Sequence, residues 1–343
     1  MGADLKRLHT QSAWIARSVA FAGAALVLAA CRGPQSTFDP AGTESAEVLH
    51  LFWWMLGGAV LIWLFVMGLS VYATKAHPKA HSERTGTKLI LWGGVAFPVV
   101  VLTALLVFGL QMMPGFRAPA DGPRIAVSGE RFWWRVHYEA PDTPGVAKFL
   151  SGKGVPSANE LWIPVGKRTE ILLSSPDVIH SFWVPNIAGK VDTIPGRITR
   201  IVLDPTRTGT FHGICAEFCG DAHAQMRFVV KVVSEADFAA RVEAERAPAA
   251  VLDHPGRTAF EANGCGACHQ VRGTGSVGLV GPDLTHLASR ETLGAGILPM
   301  SVDNIQRFIA LTEHEKPGVQ MPSFATLPQA ETRSMAEWLE TLK

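Results

Sequence analysis

Residues 215–226 read Cys-Ala-Glu-Phe-Cys-Gly-Asp-Ala-His-Ala-Gln-Met. This stretch holds two thiols, Cys215 and Cys219, an imidazole, His223, and a thioether, Met226. A second histidine, His180, lies upstream in Asp-Val-Ile-His-Ser-Phe-Trp-Val-Pro. Soft sulfur donors combined with imidazole select copper, and two cysteines this close can serve two copper ions. The chemistry such a set supports is electron transfer at a dinuclear copper site. Two cysteines and two histidines also satisfy one tetrahedral zinc. Zinc has little use for a thioether, and Met226 follows His223 at a spacing that lets a third sulfur reach the metal.

Cys265-Gly-Ala-Cys268-His269 is a second constellation, the c-type haem attachment motif. Two thiols on one helical turn can add to the two vinyl groups of a haem, and the adjacent histidine then reaches the iron. A redox dithiol is the other reading, but it gives no role to that histidine. Met300, Met321 and Met335 compete for the sixth iron position, where a neutral thioether favours reduced iron. Met335 falls inside a helical pattern, one turn before Trp338. Met300 precedes a predicted helix from Val302, a position suited to a hydrophobic staple. Met321 sits between Pro317, Gly318 and Pro322, outside any helical register. It is the expected ligand, with Met300 in reserve.

At 343 residues the chain has room for two or three domains. It is 48% hydrophobic with a mean hydropathy of +0.18, and the apolar residues concentrate toward the N-terminus. A net charge of +1 offers no nucleic-acid footprint. Residues 1–30 carry Lys6, Arg7 and Arg17 before an apolar run that ends at Cys31, the pattern of a secretory signal too short to span a bilayer comfortably. An uncleaved anchor helix is the alternative. About 51–74 and 89–115 are two uncharged stretches long enough to span, a buried soluble helix pair being the less suitable reading of such lengths. Lys75, Lys79, Arg84 and Lys88 between them outnumber Glu83, so the connection is expected in the cytoplasm and both chain ends outside.

Residues 119–246 show short β-type runs over 124–138, 159–165, 169–174, 198–203, 209–214 and 226–233, which predict an all-β sandwich or barrel. A short helix follows over 234–246. An Ala/Pro-rich linker, 247–254, leads to a third domain, 255–343, with helices expected over 302–312 and 329–342. Cys31, Cys215, Cys219, Cys265 and Cys268 each have a chemical use, which leaves no pair for a structural disulfide.

The Cys-x-Glu-x-Cys-x3-His-x2-Met spacing resembles the CuA loop of subunit II of haem-copper oxidases. Together with the haem motif, the chain over 31–343 resembles subunit II of a caa3-type cytochrome c oxidase. The resemblance implies a two-helix transmembrane hairpin, a cupredoxin-like Greek-key sandwich and an all-α class I cytochrome c domain. It implies that Cys215 and Cys219 bridge two coppers, that His180 and His223 bind one each, and that Met226 and the Glu217 carbonyl complete the shell. Pro282, in Gly-Pro-Asp-Leu, would accept the His269 ring N–H through its carbonyl. Leu-Ala-Ala-Cys31 resembles a bacterial lipobox, which implies cleavage and a lipid on Cys31.

Arg131-Phe-Trp-Trp-Arg135 matches an aromatic run that in stand-alone subunits usually reads Trp-Tyr-Trp, its first Trp taking electrons from soluble cytochrome c. Here that position is Phe132, which suits a donor haem on the same chain. Trp133 and Trp134 complete the run, and two of the three rings are expected in the sandwich core. Asp177, Lys190, Asp192 and Arg197 match the face toward subunit I, and the Glu217 carboxylate is suited to Mg²⁺ or Mn²⁺ there.

The function so implied is electron transfer in a proton-translocating oxidoreductase of the bacterial plasma membrane, with the CuA and cytochrome domains in the periplasm. An external cytochrome c or membrane donor complex would reduce the covalent haem c, and electrons would pass through CuA to haem a. Subunit I, with haem a, haem a3 and CuB, would reduce O₂ to water beside the remaining oxidase subunits. The electron-input subunit of a CuA-containing nitric oxide reductase shares these modules. A membrane-tethered copper chaperone has no use for a covalent haem.

Two spans anchor a chain far more strongly than acyl groups do. Cys31→Ala should therefore abolish incorporation of radiolabelled fatty acid and leave the protein in the membrane fraction, whereas release to the soluble fraction would contradict two spans.

Overall fold

The structure is a computed structural model that describes residues 32–76, 82–116, 119–139 and 154–343. Cys31, the signal segment and Lys79 lie outside the described residues.

Helix α1 (Thr43–Val71) continues through a π turn, Tyr72–Ala76. Helix α2 (Glu83–Leu89) runs through a π segment, Ile90–Ala96, into α3 (Phe97–Phe116). Both rods, Thr43–Lys75 and Glu83–Met113, are long and apolar enough to cross a membrane. Large side chains such as Trp54, Leu61, Phe65, Ile90 and Val100 stand exposed along them, as lipid-facing surface does. The first rod begins before Leu51, where the sequence pattern starts it, because its N-terminus is tied to the β domain. The Ser45 hydroxyl donates to the Asn186 carbonyl at 2.6 Å, and the Gly189 N–H donates to the Glu44 carboxylate at 3.0 Å. The Asn186 amide in turn binds the carbonyls of Gly33, Ser36 and Asp39, which straps the preceding arm onto the same domain.

The β domain is two five-stranded sheets face to face. One has the order β3 (Val155–Ala158), β2 (Trp133–Tyr138), β1 (Arg124–Glu130), β5 (Thr169–Ser174), β8 (Thr199–Leu203). The other has β4 (Glu160–Pro164), β10 (Arg227–Val233), β9 (Gly209–Cys215), β6 (His180–Trp183), β7 (Lys190–Thr193). The β1–β5 and β4–β10 pairs are parallel and the rest antiparallel. Trp134 packs edge-on against Phe182 and Phe228, which stack with centroids 4.6 Å apart and fill the space between the sheets. The run expected over 124–138 is a hairpin, since β1 and β2 pair across Arg131 and Phe132 without the Gly or Pro that marks a turn. Strands β3, β6 and β7 are four residues each and too short for a periodicity signal.

Helix α4 (Glu235–Arg246) starts at Ser234, whose hydroxyl accepts the Asp237 N–H. Residues 247–254, the expected linker, lie against the third domain. Ala249 is buried in its core, and the Val251 and Leu252 carbonyls accept from Trp338 and Arg257. That domain packs α5 (Pro255–Ala262), α6 (Val302–Ala310) and α8 (Gln329–Thr341), with the short α7 (Thr312–Glu315) between the last two. Phe260 meets Trp338 edge-on at 5.3 Å. Helices α5 and α8 approach through Gly256, where an added Cβ would lie 2.0 Å from the Ser334 carbonyl oxygen. Gly256→Ala should therefore destabilise this domain by about 1–3 kcal/mol, as overpacking does. The check is a lower Tm for its unfolding transition in the intact protein.

Candidate metal centre and haem cavity

Strands β6 and β9 are antiparallel neighbours, with Phe182 opposite Cys215. This pairing brings His180, the first residue of β6, beside Cys215, the last of β9. The other donors come from the β9–β10 loop. It is closed where the Cys215 N–H donates to the Met226 carbonyl at 3.0 Å and pinned where the Ala216 N–H donates to the Ser181 carbonyl at 2.9 Å.

The donors fall into two groups around the sulfur pair. Cys215 Sγ lies 3.9 Å from His180 Nδ1 and 3.2 Å from the Glu217 carbonyl oxygen. Cys219 Sγ lies 3.6 Å from His223 Nδ1 and 3.9 Å from Met226 Sδ. The two sulfurs are 3.9 Å apart. Two thiols, two imidazoles, a thioether and a carbonyl exceed the four positions of a structural zinc, while a shared sulfur pair with unlike donors on each side fits two copper ions. His180, Cys215, Cys219 and Met226 are buried. The hydrogen bond between the thiols is the largest influence on both: it lowers the Cys215 pKa, helped by His180 and against burial, and raises that of Cys219. Metal binding requires both sulfurs as thiolates and so releases the protons they hold.

Asp177, expected on the face toward a partner subunit, lies against the site itself. His180 Nε2–H donates to its Oδ1 at 2.9 Å, which leaves Nδ1 for the metal. The Val178 and Arg131 backbone N–H groups donate to the same carboxylate at 2.6 and 2.8 Å. Burial opposes its charge, but these bonds outweigh burial and lower its pKa to about 2. The stability they contribute is complete above the ordinary aspartate range and lost as pH falls through about 2. Lys190, Arg197 and the Glu217 side chain are exposed, and Asp192 is half-buried.

In the helical domain, Cys265–Ala267 form a 3₁₀ turn and the His269 N–H donates to the Cys265 carbonyl at 3.0 Å. His269 Nδ1 is 2.9 Å from the Pro282 carbonyl oxygen, so Nδ1 carries the proton and Nε2 is free. Gly281 lies so close under the ring that a Cβ there would be 2.5 Å from Cε1. Burial lowers the His269 pKa, which keeps the imidazole neutral for a metal.

A largely apolar cavity of about 310 Å³ opens before this histidine, lined by Cys265, Cys268, Met321 and Met335 among others. Met335 is also buried in α8, and Met300 is absent from the wall. Arg290 forms part of the wall with Nε unpartnered, a buried cation that suits a flat apolar ligand bearing carboxylates. The residues present fit a haem.

Arg131, Phe132, Trp133 and Asn159 of the β domain also line this cavity. Arg131 and Asn159 were not singled out in the sequence; the only local cue is that Arg131 begins the aromatic run. Phe132 is 2% exposed and touches both domains: added Cβ atoms at Gly220 and Gly318 would lie 2.9 and 3.4 Å from its ring. Trp133 carries the Arg135 guanidinium 4.6 Å over its ring, whereas Trp134 is sandwich core, edge-on to His180 at 6.2 Å.

Residues 151–233 match the family model described as cytochrome c oxidase subunit II, periplasmic domain, and residues 254–343 match the cytochrome c family model. Cytochrome c oxidase subunit 2 of Alkalihalophilus pseudofirmus is 29% identical over 93% of this chain and 94% of its own length. The alternative cytochrome c oxidase subunit 2 of Bradyrhizobium diazoefficiens is 30% identical over 58% of this chain and 79% of its own. The crystal structure of the periplasmic domain of subunit II from Bradyrhizobium japonicum is 30% identical, covers 38% of this chain and 96% of that one, and aligns with a TM-score of 0.33.

Asp177→Ala should lower copper affinity roughly 10–100-fold, as loss of a carboxylate behind a metal-binding histidine does. Copper content of the purified protein after graded chelation checks this; an unchanged titration would remove Asp177 from the site's support.

Proposed function

We infer that this chain, which belongs to the cytochrome c oxidase subunit II family and ends in a cytochrome c domain, is the electron-entry subunit of a caa3-type haem-copper oxidase. The observation that carries this reading is the shared wall: the haem cavity is closed on one side by Arg131, Phe132 and Trp133, and Phe132 also packs against Gly220 in the copper loop. When bound, haem c and CuA would supply one-electron redox chemistry at two neighbouring places on this chain, between an external donor and subunit I.

Cys265 and Cys268 would hold the haem, His269 would offer Nε2 to its iron with the ring fixed by the Pro282 carbonyl, and Met321 would offer its thioether. Cys215, Cys219, His180, His223, Met226 and the Glu217 carbonyl would hold copper. Asp177 orients His180, and burial of four of these side chains keeps the ligand set rigid. The exposed Glu217 carboxylate is free to offer oxygen to Mg²⁺ or Mn²⁺ at the subunit I face. The two apolar rods hold the chain in the plasma membrane, with the redox domains on the periplasmic side. Reduction of O₂ and proton pumping belong to subunit I.

Purified membrane complex tests this reading. It should show haem c optically and mixed-valence copper by EPR, and consume O₂ with reduced cytochrome c. A complex that turns over NO and not O₂, or that lacks haem c, would overturn it. Met321→His should keep the haem attached, lower its potential and erase the sulfur-to-iron charge-transfer band; survival of that band would remove Met321 from the iron.

A further inference from the structure

Lys316 is a buried amine that no motif explains, its pKa lowered by burial to about 7. Only 2% of it is exposed, it lines the haem cavity, and no carboxylate pairs with it among the described residues. A buried amine keeps its place only if its hydrogen bonds are made. Lys316 makes two, and they lead to different domains. Nζ donates to the Gly294 carbonyl of the helical domain at 2.6 Å and to the Gln225 carbonyl of the copper loop at 3.0 Å.

The Gln225 contact is reciprocal. Its side-chain Nε2 donates back to the Glu315 carbonyl at 3.2 Å, and two residues on, the Arg227 N–H donates to the Ala295 carbonyl at 3.1 Å. Gln225 closes the short turn between His223 and Met226, both proposed copper ligands. On the other side, the chain leaving Lys316 passes Val319, which packs against the core of the β domain, and reaches Met321, the proposed iron ligand. One side chain therefore ties together the backbone of both ligand loops.

We propose that Lys316 is a positioning residue for electron transfer between the two centres: its side-chain amine clasps the Gln225 carbonyl and thereby holds the His223–Met226 turn in register with the Met321 loop. Among the contacts that join the two domains, the clasp bears directly on the copper-loop turn and so on the separation of the two centres. This rests on the haem-to-copper reading above. Its consequence is that the copper centre senses a residue of the haem domain that touches neither metal.

The test uses the purified complex with both centres loaded, followed by flash reduction of haem c and by EPR of the copper. Lys316→Met removes both hydrogen bonds at similar length and should alter the copper hyperfine pattern at full copper content. It should also slow haem-to-copper transfer by about tenfold or more, the scale expected when reacting groups lose registration. Lys316→Arg keeps a donor and should recover most of both. Gln225→Ala breaks only the return bond and should give a smaller change of the same sign. Lys316→Gln stays polar but is too short to reach both carbonyls, and it decides the matter if Lys316→Met fails to assemble. Wild-type spectrum and rate in Lys316→Met, or in Lys316→Gln where that variant must decide, would overturn the clasp. Absence of haem-to-copper transfer in the unmutated complex would instead overturn the electron route itself.

Discussion

The copper site depends on the bond between the Cys215 N–H and the Met226 carbonyl, because it brings the loop's first and last donors together at the head of the β9–β10 pair. Every other donor is placed relative to that closure. The Ala216 bond to Ser181 fixes the distance to β6, hence to His180. The sandwich core underneath, Trp134 against Phe182 and Phe228, admits few alternative packings. The ligand set is therefore held by sheet hydrogen bonds and ring packing, which do not change when the oxidation state does. A site that gains and loses electrons benefits from that rigidity, since little has to move.

The seam between the domains obeys a different constraint. It is rich in charge: Lys231 pairs with Glu291, Arg241 bonds both Glu245 and Ser289, and Glu160 accepts the Glu291 N–H. Such groups add little stability beyond an apolar contact of the same shape, because desolvation cancels much of the attraction, but they penalise any misaligned docking that would leave them unpaired. Glu160 illustrates the balance: burial raises its pKa in spite of the Glu291 N–H and nearby Lys231 and Arg290. The seam is thus better suited to fixing one orientation than to supplying free energy. A cavity wall built from two domains requires that.

Legibility from sequence followed the range of the interaction. The copper loop and the haem turn could be read because their donors are neighbours in the chain and their spacing carries the chemistry. Helices with long periodic patterns, such as α8, and strands with clear turn signals, such as β5, were readable within a residue or two. His180 was noted upstream as a second imidazole, but its place beside Cys215 rested on the resemblance, since β6 is four residues and nothing local marks the pairing. The Asn186 clamp on the N-terminal arm, the packing of 247–254 along the helical domain and the roles of Asn159 and Lys316 were invisible. Each joins residues far apart in sequence, and none of those side chains has an unusual local neighbourhood. Asp177 was picked out by the resemblance as part of a docking face, and its bond to the His180 imidazole could be seen only in the fold.

The identity of residue 132 follows from the same seam. A tryptophan at a docking surface for a separate protein has two uses, a large apolar face for contact and an indole N–H that remains wet at the rim. Neither is available to a ring held at 2% exposure between Gly220 and Gly318. A buried indole there would need a partner for its N–H, and the two glycines that admit the phenyl ring leave no room for a wider one without moving a ligand loop. Phenylalanine keeps the aromatic contact and removes the polar requirement. Phenylalanine is therefore the aromatic residue that suits a contact covered by both domains.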